Sequence, residues 1–148
     1  AGQGITESVH TDGNIDGIDK TLAFIGQRFD GLVFTNLVEF DMLYGHRNNV
    51  AGYARALLQF DERIPEILEA LHDQDILLIT ADHGCDPTTP STDHSREYVP
   101  LLVYGKQLRR GINLGTRKAF SDVARTVADI LGIDACFGAD SFYKDVII

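Results

Sequence analysis

The segment ILLITADHG, residues 76–84, decides the fold class of the chain. Its first five residues are almost entirely apolar, and such a run is typical of a strand that is covered on both faces, as in a parallel sheet. The run ends in the polar residues Asp82 and His83, which Gly84 follows. Because ligands of open α/β sheets gather outside the carboxyl ends of strands, this segment predicts an α/β protein with a site at a strand end.

The apolar patterns on either side alternate between helical and strand periods. Side chains that recur at three and four residues predict helices, and short apolar runs predict strands. Helices are expected over residues 15–29, 50–71 and 121–131, and strands over 32–36, 76–80 and 100–104. This order predicts an α/β fold with a mostly parallel sheet flanked by helices. Residues 82–98 are expected to form a long loop.

Four residues refine the ends and the continuity of the helices. Asn14 and Ser121 are candidate N-caps, since short polar side chains accept hydrogen bonds from the free amides of a first turn. Gly132 is expected to end the last helix. Pro65 is expected to kink the second helix or to split it, because proline lacks an amide hydrogen and its ring clashes with the preceding turn.

Composition excludes several classes of function. The chain has 148 residues and a net charge of −9. It has no basic cluster, which argues against nucleic-acid binding, and its apolar runs are shorter than the ~18 residues of a membrane span. Its two cysteines, Cys85 and Cys136, make no disulfide framework and favour a reducing cytoplasm. The first residues contain no signal peptide and no initial Met, so the chain is expected to be cut from a longer one.

Acidic and imidazole side chains form two clusters, each directly after a predicted strand. Asp41 and His46 make up the first, Asp82 and His83 the second, and His94 lies eleven residues beyond His83. A mixed set of carboxylates and neutral imidazoles suits manganese, zinc or iron better than calcium or magnesium. Each residue alone has an ordinary explanation as a cap, a solvated turn or a surface histidine. Their joint occurrence favours a divalent metal site.

The spacing within each cluster constrains the local backbone. Asp41 and His46 are five residues apart, which on a regular α-helix turns the second side chain about 140° away from the first. A loop or a distorted turn could bring them together, and Gly45 makes that easier. Asp82 and His83 are adjacent and would point to opposite faces of a strand. At a strand end they can both serve a site between two metals.

Neighbouring side chains leave alternatives open. Arg47 and Arg96 flank the clusters and either meet a phosphate oxygen or pair with acids such as Asp93 and Glu97. Cys85 is interpreted as a small packed thiol rather than a soft metal ligand.

Three long motifs carry a family resemblance. The chain resembles bacterial phosphopentomutases, which belong to the alkaline-phosphatase-like superfamily of metalloenzymes, in the segments NLVEFDMLYGHR (36–47), TADHGCDP (80–87) and TDHSREYVP (92–100). The shorter segments at residues 4–7 and 10–11 also resemble a stretch of that family. The resemblance implies that residues 1–148 form the C-terminal portion of the metal-binding catalytic core.

The resemblance also implies a site and a reaction. Asp41, His46 and His94 would hold one Mn2+, and Asp82 and His83 would bind a second. The implied reaction is two-metal phosphoryl transfer between C1 and C5 of ribose or deoxyribose in nucleoside salvage, with a pentose phosphate as substrate and a sugar bisphosphate as activator. The nucleophilic threonine, one further aspartate ligand and the cap domain of the family precede this region, so no catalytic residue is assigned here.

The position of these family features outside residues 1–148 has consequences for the isolated chain, and two alternatives to phosphopentomutase stay open. The isolated chain is expected to be inactive, with an incomplete second metal shell and with apolar surface that favours self-association. One alternative is another enzyme of the superfamily, such as a cofactor-independent phosphoglycerate mutase or a phosphatase. A second is a metal-binding fragment without catalysis. The spacing of Asp41 and His46, with Phe40 and Tyr44-Gly45 around them, favours phosphopentomutase.

Overall fold

A computed structural model describes residues 2–148 of the chain. The chain forms two compact units. One takes in the chain up to Arg28, Val33–Ala70 and His83–Glu97, and the other takes in Phe29–Leu32, Leu71–Asp82 and Tyr98–Ile148. None of the helices within the described residues has the length and apolar content needed to cross a bilayer.

The first unit contains two α-helices and a short helical turn between them. These elements are α1 (Asn14–Ile25), a π-helical turn (Phe40–Tyr44) that continues into a 3-10 turn (Gly45–Arg47), and α2 (Val50–Ala70). The helix α1 packs against α2, and the side chains of Ile18, Ala56 and Ile67 are buried. Arg63 of α2 donates a hydrogen bond of 2.7 Å to Asp19 of α1.

Both helices of this unit depart from the prediction at particular residues. Gly13, not Asn14, occupies the N-cap position of α1, and the helix ends at Ile25 rather than near residue 29. The helix α2 is continuous through Pro65, so this proline does not split the helix, and the alternative expectation of a kink stays a prediction. Pro65 and Asp61 are both exposed, and the carbonyl that proline leaves without a partner can be solvated there.

The strand predicted over residues 32–36 is also wrong. This segment takes part in no strand, and its most apolar side chain, Phe34, is 83% exposed. An apolar run identifies a segment that favours burial on a pleated surface, but it becomes a strand only when a neighbouring strand supplies hydrogen bonds. Within the described residues this segment has no such neighbour.

The second unit contains the one sheet that residues 2–148 form. The strands β1 (Leu77–Thr80) and β2 (Leu101–Tyr104) match two predicted strands, but they pair antiparallel, with Leu77 opposite Tyr104. The predicted mostly parallel sheet is therefore not what this chain forms. Parallel neighbours need a crossover, usually a helix, and the residues between these two strands contain no helix.

The second unit also contains two helices after the sheet, α3 (Ser121–Ile130) and α4 (Tyr143–Val146). Phe120 is the N-cap of α3, so Ser121 is not the cap but the first helical residue. Gly132 ends this helix as predicted. It has a φ of 66°, and the amide of Ile133 donates a hydrogen bond of 2.8 Å to the carbonyl of Ala128, the arrangement of a Schellman motif.

A carboxylate in the first turn of α3 links this helix to the segments before and after it. The side chain of Asp122 accepts hydrogen bonds from the amide of Asp140 at 3.0 Å and from Arg117 at 3.1 Å. These two donors lower the pKa of Asp122, the amide of Asp140 having the larger effect. The hydroxyl of Thr126 accepts a hydrogen bond of 3.0 Å from the amide of Phe142, whose side chain is fully buried.

Candidate metal centre

The π-helical turn brings Asp41 and His46 together. The amide of Gly45 donates to the carbonyls of both Phe40 and Asp41, so it reaches back five residues as well as the usual four. This wider turn places residues five apart above each other, where a regular α-helix would separate them. Nε2 of His46 lies 3.2 Å from Oδ2 of Asp41. Of the two arrangements that the spacing allows, a loop or a distorted turn, the chain forms the second, as a π turn.

The orientation of His46 is set by a backbone carbonyl from the loop. Nδ1 of His46 lies 2.5 Å from the carbonyl oxygen of Thr92. A carbonyl only accepts hydrogen bonds, so the proton of a neutral ring is on Nδ1 and the lone pair of Nε2 faces Asp41. Hydrogen bonds of this kind fix the tautomer of histidines that bind metals. The side-chain Nδ2 of Asn48 donates a second hydrogen bond, of 3.1 Å, to the carbonyl of Thr89 in the same loop.

His94 and His83 approach the same carboxylate from the other side. Nε2 of His94 lies 3.4 Å from Oδ1 of Asp41, and Nε2 of His83 lies 3.9 Å from it. The two rings stack with their centroids 3.5 Å apart. Nδ1 of His83 lies 3.1 Å from the carbonyl of Gly84, which leaves Nε2 of a neutral ring facing Asp41.

An antiparallel bridge between Gly84 and Ser95 holds these two histidines side by side. The amide of Ser95 donates a hydrogen bond of 3.0 Å to the carbonyl of Gly84. A Cβ atom at residue 84 would lie 2.6 Å from the carbonyl oxygen of Glu97 and 2.7 Å from that of Ser95. Only glycine permits this approach, and the approach brings the residues on either side of the bridge, His83 and His94, into contact.

The donor set fits a divalent cation. Asp41, His46 and His94 each offer one ligand atom, and these atoms lie within 4.8 Å of one another. Two ligands that each bind a tetrahedral ion at about 2.1 Å lie about 3.4 Å apart, close to the separations seen here. Oδ1 of Asp41 is buried without a hydrogen-bond partner. The lone pairs of an anionic oxygen and of imidazole nitrogens repel each other unless a cation or an added proton lies between them.

The fifth predicted ligand, Asp82, lies in the bend after β1 and is exposed. It belongs to the second unit, whereas the other four predicted ligands belong to the first. The pairing of Asp82 with His83 at a second metal stays a prediction.

Cys85 packs behind the π turn. Its sulfur occupies the space that a Cβ atom at Gly45 would need. Burial raises the pKa of this thiol, and the negative charges of Asp41, Asp86 and Glu97 raise it further. The thiol is therefore protonated at neutral pH. Its contact with Gly45 agrees with its interpretation as a packed side chain.

Sequence reasoning missed the groups that orient the ligands. The sequence does not single out the carbonyl of Thr92 as a partner of His46, because every residue has a backbone carbonyl. The sequence assigns Gly84 no role beyond following Asp82 and His83, although its lack of a side chain permits the approach that joins the two histidines. Asn48 carried a readable signal: it has a φ of 48°, and asparagine is one of the few residues that adopt this conformation readily.

Comparison with known proteins agrees with a metal centre. Residues 2–135 match the family model described as the metalloenzyme superfamily. The chain is 62% identical over 146 residues to a protein of Acetivibrio thermocellus named phosphopentomutase. It is 58% and 56% identical to proteins of that name from Desulfitobacterium hafniense and Caldanaerobacter subterraneus.

The matched region is a much larger share of this chain than of each relative. Each of the three covers 99% of this chain but only 37% or 38% of the relative. The chain thus spans less than two fifths of the length of these relatives. The family match, in contrast, takes in most of this chain and includes all five predicted ligands. The chain belongs to the metalloenzyme superfamily.

Proposed function

We propose that the chain supplies metal ligands to a phosphopentomutase, an enzyme that interconverts the 1-phosphate and 5-phosphate of ribose or deoxyribose. The observation that carries the proposal is the convergence of His46 and His94 on Asp41, whose Oδ1 is buried without a partner. The relatives quoted above, all named phosphopentomutase, support the choice of reaction. The expected setting is nucleoside salvage in the cytoplasm.

The residues of the chain divide the work at the proposed site. Asp41, His46 and His94 bind one Mn2+, and Asp82 with His83 contributes to a second. Bound divalent cations offset the charge of a phosphoryl group and polarise its oxygens, chemistry that an acidic chain cannot supply by itself. Thr92 keeps the Nδ1 proton of His46 away from the metal side of the ring. Arg47 is exposed beside His46 and is available to a phosphate oxygen.

The proposed reaction is tested on the intact polypeptide. Loaded with Mn2+ and a sugar bisphosphate activator, it is expected to convert ribose 1-phosphate to ribose 5-phosphate. Asp41→Asn is expected to lower the rate at least about 100-fold, because removing a ligand charge weakens metal binding. Asp73→Asn is the control, since Asp73 is exposed and forms an ion pair with Lys106. Faster conversion of phosphoglycerate, or simple release of phosphate, would instead identify another enzyme of the superfamily.

A second candidate applies to residues 1–148 alone: a metal-binding fragment without catalysis. The observation that favours it is that Asp41, His46 and His94 all lie within one compact unit. The isolated chain is then expected to bind one Mn2+ and to show no mutase activity. Its exposed apolar side chains, among them Phe34, favour self-association. Sedimentation at several concentrations measures this, and a monomer at all of them would contradict it.

A further inference from the structure

We propose that Glu39 and Asn14 are positioning residues for the metal ligand Asp41. They fasten the start of the π turn to the first turn of α1 through reciprocal hydrogen bonds. The inference rests on the proposed metal site and goes beyond it, because neither residue offers an atom to the metal. Its structural part, the anchoring of the turn, is testable in metal-free protein.

Each of the two side chains accepts a hydrogen bond from the other residue's backbone. A carboxylate oxygen of Glu39 accepts from the amide of Asn14 at 2.6 Å, and Oδ1 of Asn14 accepts from the amide of Glu39 at 3.2 Å. The pattern is that of a capping box, in which two residues satisfy each other's free amides. Here the two residues are 25 positions apart, so the box joins two segments instead of closing one helix end.

Gly13 makes room for the carboxylate. A Cβ atom at this position would lie 3.1 Å from the carboxylate atoms of Glu39, and Gly13 has a φ of 142°, which side chains disfavour. The absence of a side chain therefore lets Glu39 reach the free amides of α1. These amides carry partial positive charge, which favours a carboxylate at this end of the helix.

The residues before Glu39 run along α1 in the same manner. The hydroxyls of Thr35 and Thr21 are 2.6 Å apart, and the side chain of Leu37 lies over Gly17. Alternate residues of an extended segment thus meet successive turns of one helix face. Glu39 is the last of these contacts, and the π turn begins at the next residue.

The choice of asparagine at position 14 fits a positioning role. Its side chain is buried, and its Nδ2 has no hydrogen-bond partner. The amide of Glu39 needs an acceptor, which fixes Oδ1 toward it and leaves Nδ2 unpaired. An aspartate would accept the same bond without an unpaired donor, but it would place a second negative charge beside Glu39. Asparagine keeps the bond without that repulsion.

The anchor lies two residues from the metal ligand. Glu39 is the N-cap residue of the π turn, and the amide of Met42 donates a hydrogen bond of 2.9 Å to the carbonyl of Val38. Single π turns are uncommon because regular α-helical bonding competes with them. Fixing the residue before the turn therefore limits how Asp41 can be rotated relative to His46.

The test compares three variants of the intact polypeptide by Mn2+ affinity and by amide hydrogen exchange. Glu39→Ala removes the acceptor, and Glu39→Gln keeps an acceptor but removes the charge. Thr35→Val loosens the same segment at a position that is further from Asp41. In this variant Thr21 keeps its hydrogen bond to the carbonyl of Gly17.

We expect Glu39→Ala to raise the dissociation constant for Mn2+ about tenfold. Glu39→Gln and Thr35→Val should stay within about threefold of the unmodified protein. In metal-free Glu39→Ala the amide of Gly45 should exchange faster, while amides in the middle of α2 do not. Asn14→Ala is expected to act in the same direction as Glu39→Ala and replaces it if that variant does not fold.

Two results would overturn the inference. One is Gly45 exchange in Glu39→Ala that rises no more than in Thr35→Val. The other is a loss of Mn2+ affinity in Glu39→Gln equal to that in Glu39→Ala, which would assign the effect to charge. If the unmodified protein binds no Mn2+, the proposed metal site fails, and the exchange of Gly45 still decides whether Glu39 anchors the turn.

Discussion

The π turn and the loop place their proposed metal ligands by different means. Asp41 and His46 lie in one helical turn, where a backbone bond from Gly45 sets their separation. His83 and His94 are eleven residues apart and meet because Gly84 and Ser95 form an antiparallel bridge. Local hydrogen bonding places the first pair, and close approach of two backbone segments places the second.

Each means depends on one glycine, but the space at each glycine is limited by different atoms. At Gly45 the nearest atom to an added Cβ is the side-chain sulfur of Cys85, whereas at Gly84 the nearest atoms belong to the backbone of Ser95 and Glu97. A side chain can be removed by mutation and a backbone cannot. The comparison therefore predicts that damage at Gly45 is partly reversible by a second substitution and damage at Gly84 is not.

The largest effect is expected for Gly84→Ala. The new methyl group overlaps backbone atoms of the facing segment, and we expect a loss of about 3 kcal/mol in the free energy of unfolding. Chemical denaturation measures it. Gly138→Ala is the matched control, because an added Cβ there meets nothing within 4 Å. A loss below about 0.5 kcal/mol for Gly84→Ala would contradict the close approach.

A smaller and reversible effect is expected for Gly45→Ala. We expect a loss of about 2 kcal/mol, of which the second substitution Cys85→Ala should restore about 1 kcal/mol. Restoration is partial because the carbonyl of Phe40 would also lie 3.1 Å from the new Cβ.

The matched double variant adds Cys85→Ala to Gly84→Ala, where no recovery is expected. Equal recovery on both backgrounds would mean that loss of the thiol stabilises the protein generally, and the difference between the two glycines would not stand.

The smallest effect concerns a carboxylate of the second unit. The carboxylate of Asp122 accepts hydrogen bonds from two donors, whereas Oδ1 of Asp41 has no hydrogen-bond partner among the described residues. Because its pKa is lowered from 3.8, Asp122 contributes stability above that pH, and the contribution is lost as the pH falls through the lowered value. The difference in unfolding free energy between the unmodified protein and Asp122→Asn should be constant near neutral pH and shrink below about pH 4. A difference that does not depend on pH would contradict this.

Sequence patterns predicted those elements whose signals are local. The apolar spacing gave the places of α2 and α3, and Gly132 ended α3, because these features depend on residues one or two turns apart. The strand predicted over 32–36 and the parallel sheet failed because pairing partners and strand direction are set by residues distant in the chain. The amino-acid sequence of one strand does not specify its pairing partner or the direction of that partner.

The candidate site divides in the same way. Residue types marked Asp41, His46 and His94 as candidate ligands, and the family resemblance implied that they share one metal. The five-residue spacing required a loop or a distorted turn. The carbonyl of Thr92 and the anchor at Glu39 were not predicted, because the first involves only backbone and the second joins residues 25 positions apart. Ligand chemistry is readable from side chains, whereas ligand orientation depends on contacts between distant segments.

The central claim is that residues 41–94 build a metal site around Asp41, and anomalous scattering from crystals grown with Mn2+ tests it most directly. Data collected on both sides of the manganese absorption edge separate manganese from other scatterers. We predict one strong peak bounded by Oδ1 or Oδ2 of Asp41 and the Nε2 atoms of His46 and His94. No peak there, with these three side chains ordered as described, would contradict the claim.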